Sequence, residues 1–592
     1  MNILITTLNS KFIHTSLSIR YLKSYSESEF PNIDIEEYTI NQSVDYITGE
    51  IFKKECDIVA FSCYIWNIES TLEICERLKI VNPDIKIILG GPEVSFDSED
   101  IMKRYEFVDF VIDGEGEETF KELLVCIRDR KDLNKVEGIV FRDGQDIIRT
   151  PLRPLIQNLD DIPSPFEGDL SEYNNKIVYF ESSRGCPFNC KFCLSSTIKG
   201  VRYFSIDRVK SDLKKLIDAE VKQVKFVDRT FNARKEYAME VMNFIISEGV
   251  SNTNFHFEVT ADLLDEDIIE FLKNIKEGLF QFEIGVQSTN PRTLDIIDRK
   301  TDFKRLSEVV TEIKSFKNIH LHLDLIAGLP YEGYDSFKKS FNDVYALNPD
   351  KLQLGFLKLL KGSQLRIDGE KYGFKFIDKP PYEILETEYM SYGEMLKLKT
   401  IEDLVEKYGN EGYFSNTIRY IINNFYESPF DFYENFAEYW EVKEHHKVSH
   451  NRTSLYKKLY EYYKEVINED NGLFVDVLKL DFLMNSGKSP TLPSFMKKDD
   501  TDYLKTAKHE FLKDEKNIES YLCEFRNTPV KKIINQIHIE EFNFDVLDLI
   551  EKSYDKNFII KGNKVLLFKY NNEDKIAINK CKVFNITDNF KN

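Results

Sequence analysis

Glu181-Ser-Ser-Arg-Gly-Cys186-Pro-Phe-Asn-Cys190-Lys-Phe-Cys193 packs three of the chain's nine cysteines into eight residues. The run before it, Ile177-Val-Tyr-Phe180, is apolar and reads as a strand. A loop leaving a strand can aim three thiolates at one centre, and Gly185 and Pro187 let the backbone wrap it. Thiolates at this spacing bind zinc or an iron–sulfur cluster. A closed zinc site needs a fourth ligand close by, yet the next histidine is His256 and the next cysteine Cys523. Three thiolates on a four-iron cluster leave one iron open to a small molecule.

Outward toward the N-terminus, residues 1–150 alternate strand and helix. Ile3–Thr7, Asp57–Ser62, Ile85–Leu89 and Val108–Ile112 are apolar runs, with helical spacing over Thr15–Ser26, Glu69–Val81 and Glu118–Arg128. Continuous apolar strands alternating with helices predict a doubly wound parallel sheet, Rossmann-like in class. Ligands of such sheets sit at the strands' carboxyl ends. Here those ends hold Ser62, Gly90-Gly91-Pro92-Glu93 and Gly114-Glu115-Gly116-Glu117. The glycines permit tight turns and close approach of a ligand.

Prolines 151, 154, 163 and 165 mark residues 151–175 as a linker. From 176 to 373 the alternation resumes with six strands, the pattern of a partial (β/α)6 barrel. Sites of such barrels lie at the strands' carboxyl ends. Asp228 closes the second strand and Glu258 the third, Glu283 lies in the fourth with Gln287-Ser288 just past it, Arg299 ends the next short helical segment, and Asp324 lies in the fifth strand. An ionised carboxylate only accepts hydrogen bonds and suits ribose hydroxyls, whereas an arginine suits a carboxylate.

The C-x3-C-x2-C loop, with Phe192 before its last cysteine, resembles the cluster loop of the radical S-adenosylmethionine (SAM) enzymes. The series Asp228-x-x-Phe-Asn232, Glu258, Glu283-x-Gly-x-Gln287-Ser288, Arg299 and Asp324-Leu-Ile-Ala-Gly-Leu-Pro330 is similar to the coproporphyrinogen-oxidising and cobalamin-binding members. The α/β domain directly before the loop resembles the cobalamin (B12)-binding domain of the latter. The resemblance implies that Cys186, Cys190 and Cys193 ligate a [4Fe-4S] cluster. It implies that Glu258 and Asp324 hold the SAM ribose, that Arg299 and Ser288 face its carboxylate, and that Gln287 lies near the sugar or sulfonium, with Glu283 in the same SAM-binding set. Ser62, Gly90, Gly91, Pro92, Glu93, Gly114, Glu115, Gly116 and Glu117 are the implied cobalamin contacts. One departure is plain. No histidine follows an aspartate by two residues, so the Asp-x-His-x-x-Gly cobalt ligand of many cobalamin proteins is missing.

The implied activity is reductive cleavage of SAM to a 5′-deoxyadenosyl radical and methylation of an unactivated carbon. A rearrangement or cyclisation without methyl transfer, and a non-catalytic corrinoid or redox sensor, are the alternatives. The implied partners are a small-molecule or peptide substrate and an external electron donor of flavodoxin or ferredoxin type. A net charge of −21 argues against nucleic acid, and hence against tRNA methylthiolation. No apolar run reaches the ~18 residues of a membrane span, the N-terminus reads as a strand rather than a secretion signal, and scattered cysteines fit the cytoplasm. Residues 374–592 read as a mainly α-helical domain of unassigned role. Within it, Gly562-Asn563 is expected to turn a hairpin over 557–568, and His445, His446 and His450 to lie on a solvated face.

Overall fold

β1, Ile3–Asn9, is buried along its whole length. Its side chains alternate between two cores: Leu4 and Leu8 on one face of the sheet, Ile3 and Ile5 on the other. That is why Ile3, Leu4 and Ile5 are apolar at consecutive positions rather than alternating. In the computed structural model it sits in a seven-stranded sheet with β2 (Ile33–Thr39), β3 (Ile58–Ser62), β4 (Lys86–Gly90), β5 (Phe110–Ile112), β6 (Ile139–Asp143) and β7 (Asp146–Arg149), in the order β2-β1-β3-β4-β5-β6-β7. Strands β2 to β5 pair in parallel and β5-β6-β7 antiparallel. Helices α1 (Leu17–Ser26) and α5 (Gly116–Asp129) cover one face, and α2 (Val44–Lys53), α3 (Ile68–Val81) and α4 (Ser98–Arg104) the other. The α/β class holds, with an antiparallel hairpin added at one edge. Edge strand β2 carries Asp34, Glu36 and Glu37, so it lacks the apolar run that marks the inner strands.

The second sheet has the order β15-β14-β13-β12-β11-β8, comprising β8 (Ile177–Phe180), β11 (Gln223–Phe226), β12 (Asn254–Glu258), β13 (Phe280–Gln287), β14 (His320–Ala327) and β15 (Lys351–Phe356). The short hairpin β9 (Ser183–Cys186) and β10 (Gly200–Tyr203) branches off after β8. Burial alternates strictly along β13 and β14. Phe255, Phe257, Phe280 and Phe282 fill one face, while Lys225, His256, Gln281, Glu283 and His322 share the other, the barrel's interior. The edge strand β8 does not end bare. The loop after β1 reaches it, with Ile177 N–H donating to Ile13 O at 2.7 Å and Thr15 Oγ1 to Ile177 O at 3.0 Å. Covering an edge this way removes a site for unwanted strand pairing.

The structure describes every residue except 471, 488–489, 498–501, 559–560, 571–580 and 591–592. The chain divides into two units, Met1–Gly333 with Gly355–Tyr392, and Tyr334–Leu354 with Gly393–Asn592. The second unit is helical around Tyr408, Phe436, Trp440 and Tyr462, and ends in a three-stranded sheet, Ile537–Phe544, Lys561–Tyr570 and Cys581–Asn585. Two expectations fail there. Gly562 and Asn563 do not turn a hairpin. They lie inside the strand Lys561–Tyr570, where Phe542 pairs with Lys564 but Phe544 with Lys561, so the glycine accommodates a bulge; residues 559–560 of that stretch lie outside the described residues. His445 is not solvated either, being buried against Trp440 with ring centroids 4.9 Å apart, although His446 is exposed.

Candidate active site

The cysteine loop is held from below before it reaches its first sulfur. Asp228, buried at the end of β11, accepts from Ser182 N at 2.9 Å, Ser182 Oγ at 2.6 Å and Ser183 Oγ at 2.6 Å. Burial pushes the Asp228 carboxyl up, against the pull of those serines. Tyr237 Oη donates to Ser182 O at 3.1 Å. Asn232 bridges to the next strand end through Thr260 N and O, both at 2.9 Å. Gly185 has φ +103°, and any Cβ there would collide with Gly200 O across the β9–β10 hairpin. Glycine is therefore a packing requirement one residue before Cys186.

None of the three cysteines is in a disulfide. Two of the sulfurs have a donor within reach, since Ser195 N–H points at Cys193 Sγ at 3.4 Å and Arg299 Nη1 lies 3.8 Å from Cys190 Sγ, while Thr230 Oγ1, which donates to Arg229 O, lies 3.6 Å from Cys186 Sγ. Burial raises the Cys190 thiol, and Arg299 pulls it back down. Donors aimed at sulfur stabilise thiolates and tune a cluster they bind. This donor set fits an iron–sulfur cluster.

Arg299 also donates through Nη2 to Gly285 O at 2.5 Å and through Nε to Thr301 Oγ1 at 3.2 Å. At Gly285 the register of β13 on β14 shifts by one residue, and Gln287 follows with φ +71°. The Gln287 amide folds over the missing side chain of Gly285, and its buried Oε1 has no hydrogen-bond partner among the described residues. Glu258, at the end of β12, is half-buried, and its carboxylate makes no hydrogen bond to a described residue. Burial raises its pKa, with Arg229 opposing. Asp324 stands across the sheet from Gly285. Cys190, Arg299, Gly285 and Gln287 are thus adjacent, with Asp324 facing them and Glu258 on the neighbouring strand. An orphaned amide oxygen, a cationic fork and an open carboxylate fit the groups of SAM.

Two members of the expected SAM set are committed elsewhere. Ser288 is fully buried, donates to Glu332 Oε1 at 2.6 Å and accepts from Asn290 N at 3.0 Å, so its hydroxyl faces protein rather than a ligand. Glu283 lies lower in the barrel, its Oε2 3.0 Å from Lys225 Nζ and 2.9 Å from His256 Nε2. Burial pushes Glu283 up, but His256 and Lys225 more than offset it and hold it at about 2. Gln281 Nε2 continues the layer to His256 Nδ1 at 3.3 Å and His322 Nε2 at 3.0 Å. The ligand atoms of His256, Glu283 and His322 lie within 4.8 Å of one another. The Lys225 ammonium already supplies the cation that Glu283 needs.

The expected cobalamin contacts divide in the same way. Ser62 Oγ lies 3.0 Å from Ser18 Oγ at the end of β3. Gly90-Gly91-Pro92 forms the turn after β4. A Cβ on Gly91 would meet Cys63 O at 2.6 Å, so that glycine serves the packing of neighbouring turns. Glu93 is turned inward, paired with Lys361 at 3.2 Å and accepting from Tyr382 Oη. Glu115 and Glu117 accept from Arg184, and Glu115 also from Arg202. All three carboxylates are thus engaged by protein cations. What remains open is Gly114, with φ +85° and nothing within 4 Å of a Cβ, whereas a Cβ on Gly116 would meet Leu22 Cδ2 at 3.2 Å. Trp66 lies parallel to Tyr64 with centroids 4.5 Å apart, is 45% exposed, and donates from Nε1 to Leu8 O at 3.0 Å. An exposed flat aromatic face past β3 and an open glycine turn past β5, at the same end of the sheet, fit a corrinoid.

Sequence reasoning missed Thr230, Ser195, Lys225, His256, Lys361 and Tyr382 as parts of the site. Lys225 and His256 do carry a signal, since each interrupts an otherwise aromatic or aliphatic strand at an alternate position. Lys361 and Tyr382 carry none, because their partner Glu93 lies 268 and 289 residues away.

Comparison with known proteins gives three matched families: a B12 binding domain over residues 3–124, the radical SAM superfamily over 180–344, and a protein of unknown function, DUF4080, over 370–568. The chain is 28% identical over 357 residues to an uncharacterized methyltransferase, PH0819, of Pyrococcus horikoshii, covering 59% of this chain and 77% of that one. It is 26% identical over 360 residues to the cobalamin-dependent radical SAM methyltransferase TokK of Streptomyces tokunonensis, covering 55% and 51% respectively, so it spans about half of that relative. The radical SAM methyltransferase TsrM of Kitasatospora setae, solved with cobalamin and a [4Fe-4S] cluster, has the same fold over 64% of this chain and 82% of its own, with a TM-score of 0.54 and 15% identity.

Proposed function

Because this chain belongs to the radical SAM enzymes that carry a B12-binding domain, we propose that it is a C-methyltransferase acting on a small-molecule substrate. When bound, the [4Fe-4S] cluster and SAM supply the radical that activates a carbon, and cobalamin supplies the methyl group. The observation that carries the reading is local. Three free cysteines share one loop, with Arg299 reaching Cys190 and an unmatched Gln287 carbonyl beside that arginine, in a chain whose first 124 residues include the B12-binding match.

Cys186, Cys190 and Cys193 hold the cluster in this reading. Arg299 faces the SAM carboxylate while its other nitrogens stay fixed on Gly285 and Thr301. Glu258 and Asp324 accept from the ribose hydroxyls, and Gln287 Oε1 accepts from SAM. Trp66 and the Gly114 turn meet the corrinoid. An external one-electron donor of flavodoxin or ferredoxin type supplies the reducing electron.

The test is anaerobic reconstitution with iron and sulfide, followed by SAM, hydroxocobalamin and a reductant. The native chain forms 5′-deoxyadenosine, and C186A, C190A and C193A each abolish it. Methyl-deuterated SAM offered with candidate substrates puts label in the product. SAM cleavage without corrinoid binding would refute methyl transfer. A labile hydrogen lost without methyl gain would assign a cyclisation instead.

A further inference from the structure

The Gly114-Glu115-Gly116-Glu117 turn has two sides. On one, Gly114 leaves open space at the end of β5. On the other, two carboxylates reach the hairpin that carries the first cysteine. Arg184, two residues before Cys186, donates from Nη2 to Glu117 Oε1 at 2.6 Å, from Nη1 to Glu115 Oε1 at 3.2 Å and from Nε to Glu181 Oε2 at 2.9 Å. Arg202 stands directly opposite Arg184 in the β9–β10 pairing and donates to Glu115 through both terminal nitrogens, at 2.7 and 3.0 Å. Glu115 further accepts from Ile156 N at 2.8 Å, in the linker. The Arg184 guanidinium also lies 5.5 Å from the centre of the Tyr21 ring, on α1.

All five charged side chains are 15% exposed or less. Buried charge is retained in a fold only when its partners are fixed, and removing one partner is far more costly than at the surface. Each terminal nitrogen of Arg184 meets a different carboxylate, and Glu115 is shared by two arginines. Such a fork fixes direction as well as distance, which a lysine's point charge does not. The hairpin is two strands of four residues, held at its start by Asp228 and Tyr237, and the arginines are its tie to the preceding domain.

We propose that Glu115, Glu117 and Arg184 are positioning residues, a buried ionic tie by which the B12-binding domain sets where Cys186 is held. The turn thereby offers its glycine backbone toward the corrinoid and its carboxylates toward the cluster loop. The inference rests on the proposed cluster site, and the experiment keeps the two apart.

Corrinoid-free protein is reconstituted anaerobically as the native chain and as E117Q, R184K and, for comparison, E122Q, which alters a half-exposed glutamate of the same helix whose partner is Arg153 rather than the hairpin. Release of cluster iron to a chelator is followed by absorbance, with the spectrum of the reduced cluster by paramagnetic resonance and the fold by circular dichroism. Residues supporting metal ligands typically change affinity by about 10- to 100-fold when altered, so E117Q and R184K are expected to release iron at least about tenfold faster, with E122Q unchanged. Hydroxocobalamin affinity is titrated separately and is expected to stay within about twofold, because neither carboxylate faces that ligand. Unchanged iron release in both E117Q and R184K overturns the proposal. So does a large loss of hydroxocobalamin affinity in E117Q without faster iron release, which would make Glu117 a corrinoid contact. Failure of the native chain to assemble a cluster would instead refute the functional reading. If E117Q does not fold, R184K, which keeps the charge and loses only the fork, decides the matter by the same readout.

Discussion

Gly285→Ala isolates the geometry on which SAM binding is proposed to depend. Gly285 has no left-handed φ, so alanine is not excluded by the backbone. The obstacle is space: the added methyl would fall well inside 3.0 Å of Gln287 Nε2 and 3.6 Å from Arg299 Nη2. Real Cβ atoms do not approach that closely, so the Gln287 amide must move by the order of an ångström, and Arg299 feels the shift through its bond to Gly285 O. Overpacking of this kind costs about 1–3 kcal/mol. If the cost falls on the arrangement that receives SAM, affinity drops by about fivefold to somewhat over a hundredfold, at about 1.4 kcal/mol per tenfold. The assay is anaerobic equilibrium binding of SAM to reconstituted protein, with iron content and melting temperature as controls. Gly355→Ala is the comparison, since its methyl would meet only Leu325 O at 3.4 Å and Ile326 Cγ1 at 4.0 Å, which are ordinary contacts. Native SAM affinity in G285A, or an equal loss in G355A, would refute the claim that the Glu-x-Gly-x-Gln pattern exists to seat the Gln287 amide.

Lys225→Met leaves the Glu283 carboxylate buried against a neutral His256 and should cost about 3–5 kcal/mol in urea unfolding of the apoprotein, with K225M/E283Q recovering most of it. Glu181 offers a pH test: burial pushes its pKa from 4.5 to about 7, with Arg184 opposing. The folded chain then binds this proton more tightly than the unfolded one, so Glu181's contribution to stability falls as pH rises from about 4.5 to about 7 and levels off above it. E181Q should therefore flatten the apoprotein's melting temperature between pH 5 and 8 relative to the native chain, at about the 1.4 kcal/mol per pKa unit that linkage allows; an unchanged slope would refute the assignment. Trp66→Ala should weaken hydroxocobalamin binding by up to about tenfold, the range of one aromatic stacking contact, while leaving cluster iron and SAM binding as they were.

The chain's sequence makes its strands legible where burial makes them continuously apolar, as in β1 and β3, and hides them where one edge is wet. β2, with three acidic residues, and the antiparallel β6–β7 hairpin belong to the second kind. The cysteine loop is readable because chemistry fixes its spacing. Gln287 and Glu258 could be read because each stands at a strand's carboxyl end, Arg299 because it closes the short helical segment that follows, and the structure brings Arg299 beside both Cys190 and Gln287. Ser288, Glu283, Glu93, Glu115 and Glu117 stand at or near such ends too, yet their side chains serve the protein. Position in a strand is local and visible in sequence. The partner that claims a side chain is distant in sequence, as with Glu93 and Lys361 or Glu115 and Arg202, and no periodicity announces it.

Hydrogen-bonding capacity separates the two groups more sharply than location does. A carboxylate offers about four acceptor positions. Glu115 fills them with Arg184, two nitrogens of Arg202 and the Ile156 amide, so a ligand would have to displace a protein donor. Ser288 has likewise donated its one proton, to Glu332. Gln287 is in the opposite condition. Its carbonyl oxygen is buried and unmatched in the protein alone, a state that costs about 1–3 kcal/mol. The bulge at Gly285 and the positive φ of Gln287 add strain at the same point, beside the arginine that reaches Cys190. A fold keeps an unmatched buried acceptor in a strained segment when something else supplies the donor. In this barrel that donor is most economically the ligand itself, so SAM recognition is expected to turn on the Gln287 amide and Arg299 more than on the carboxylates that the strand ends display.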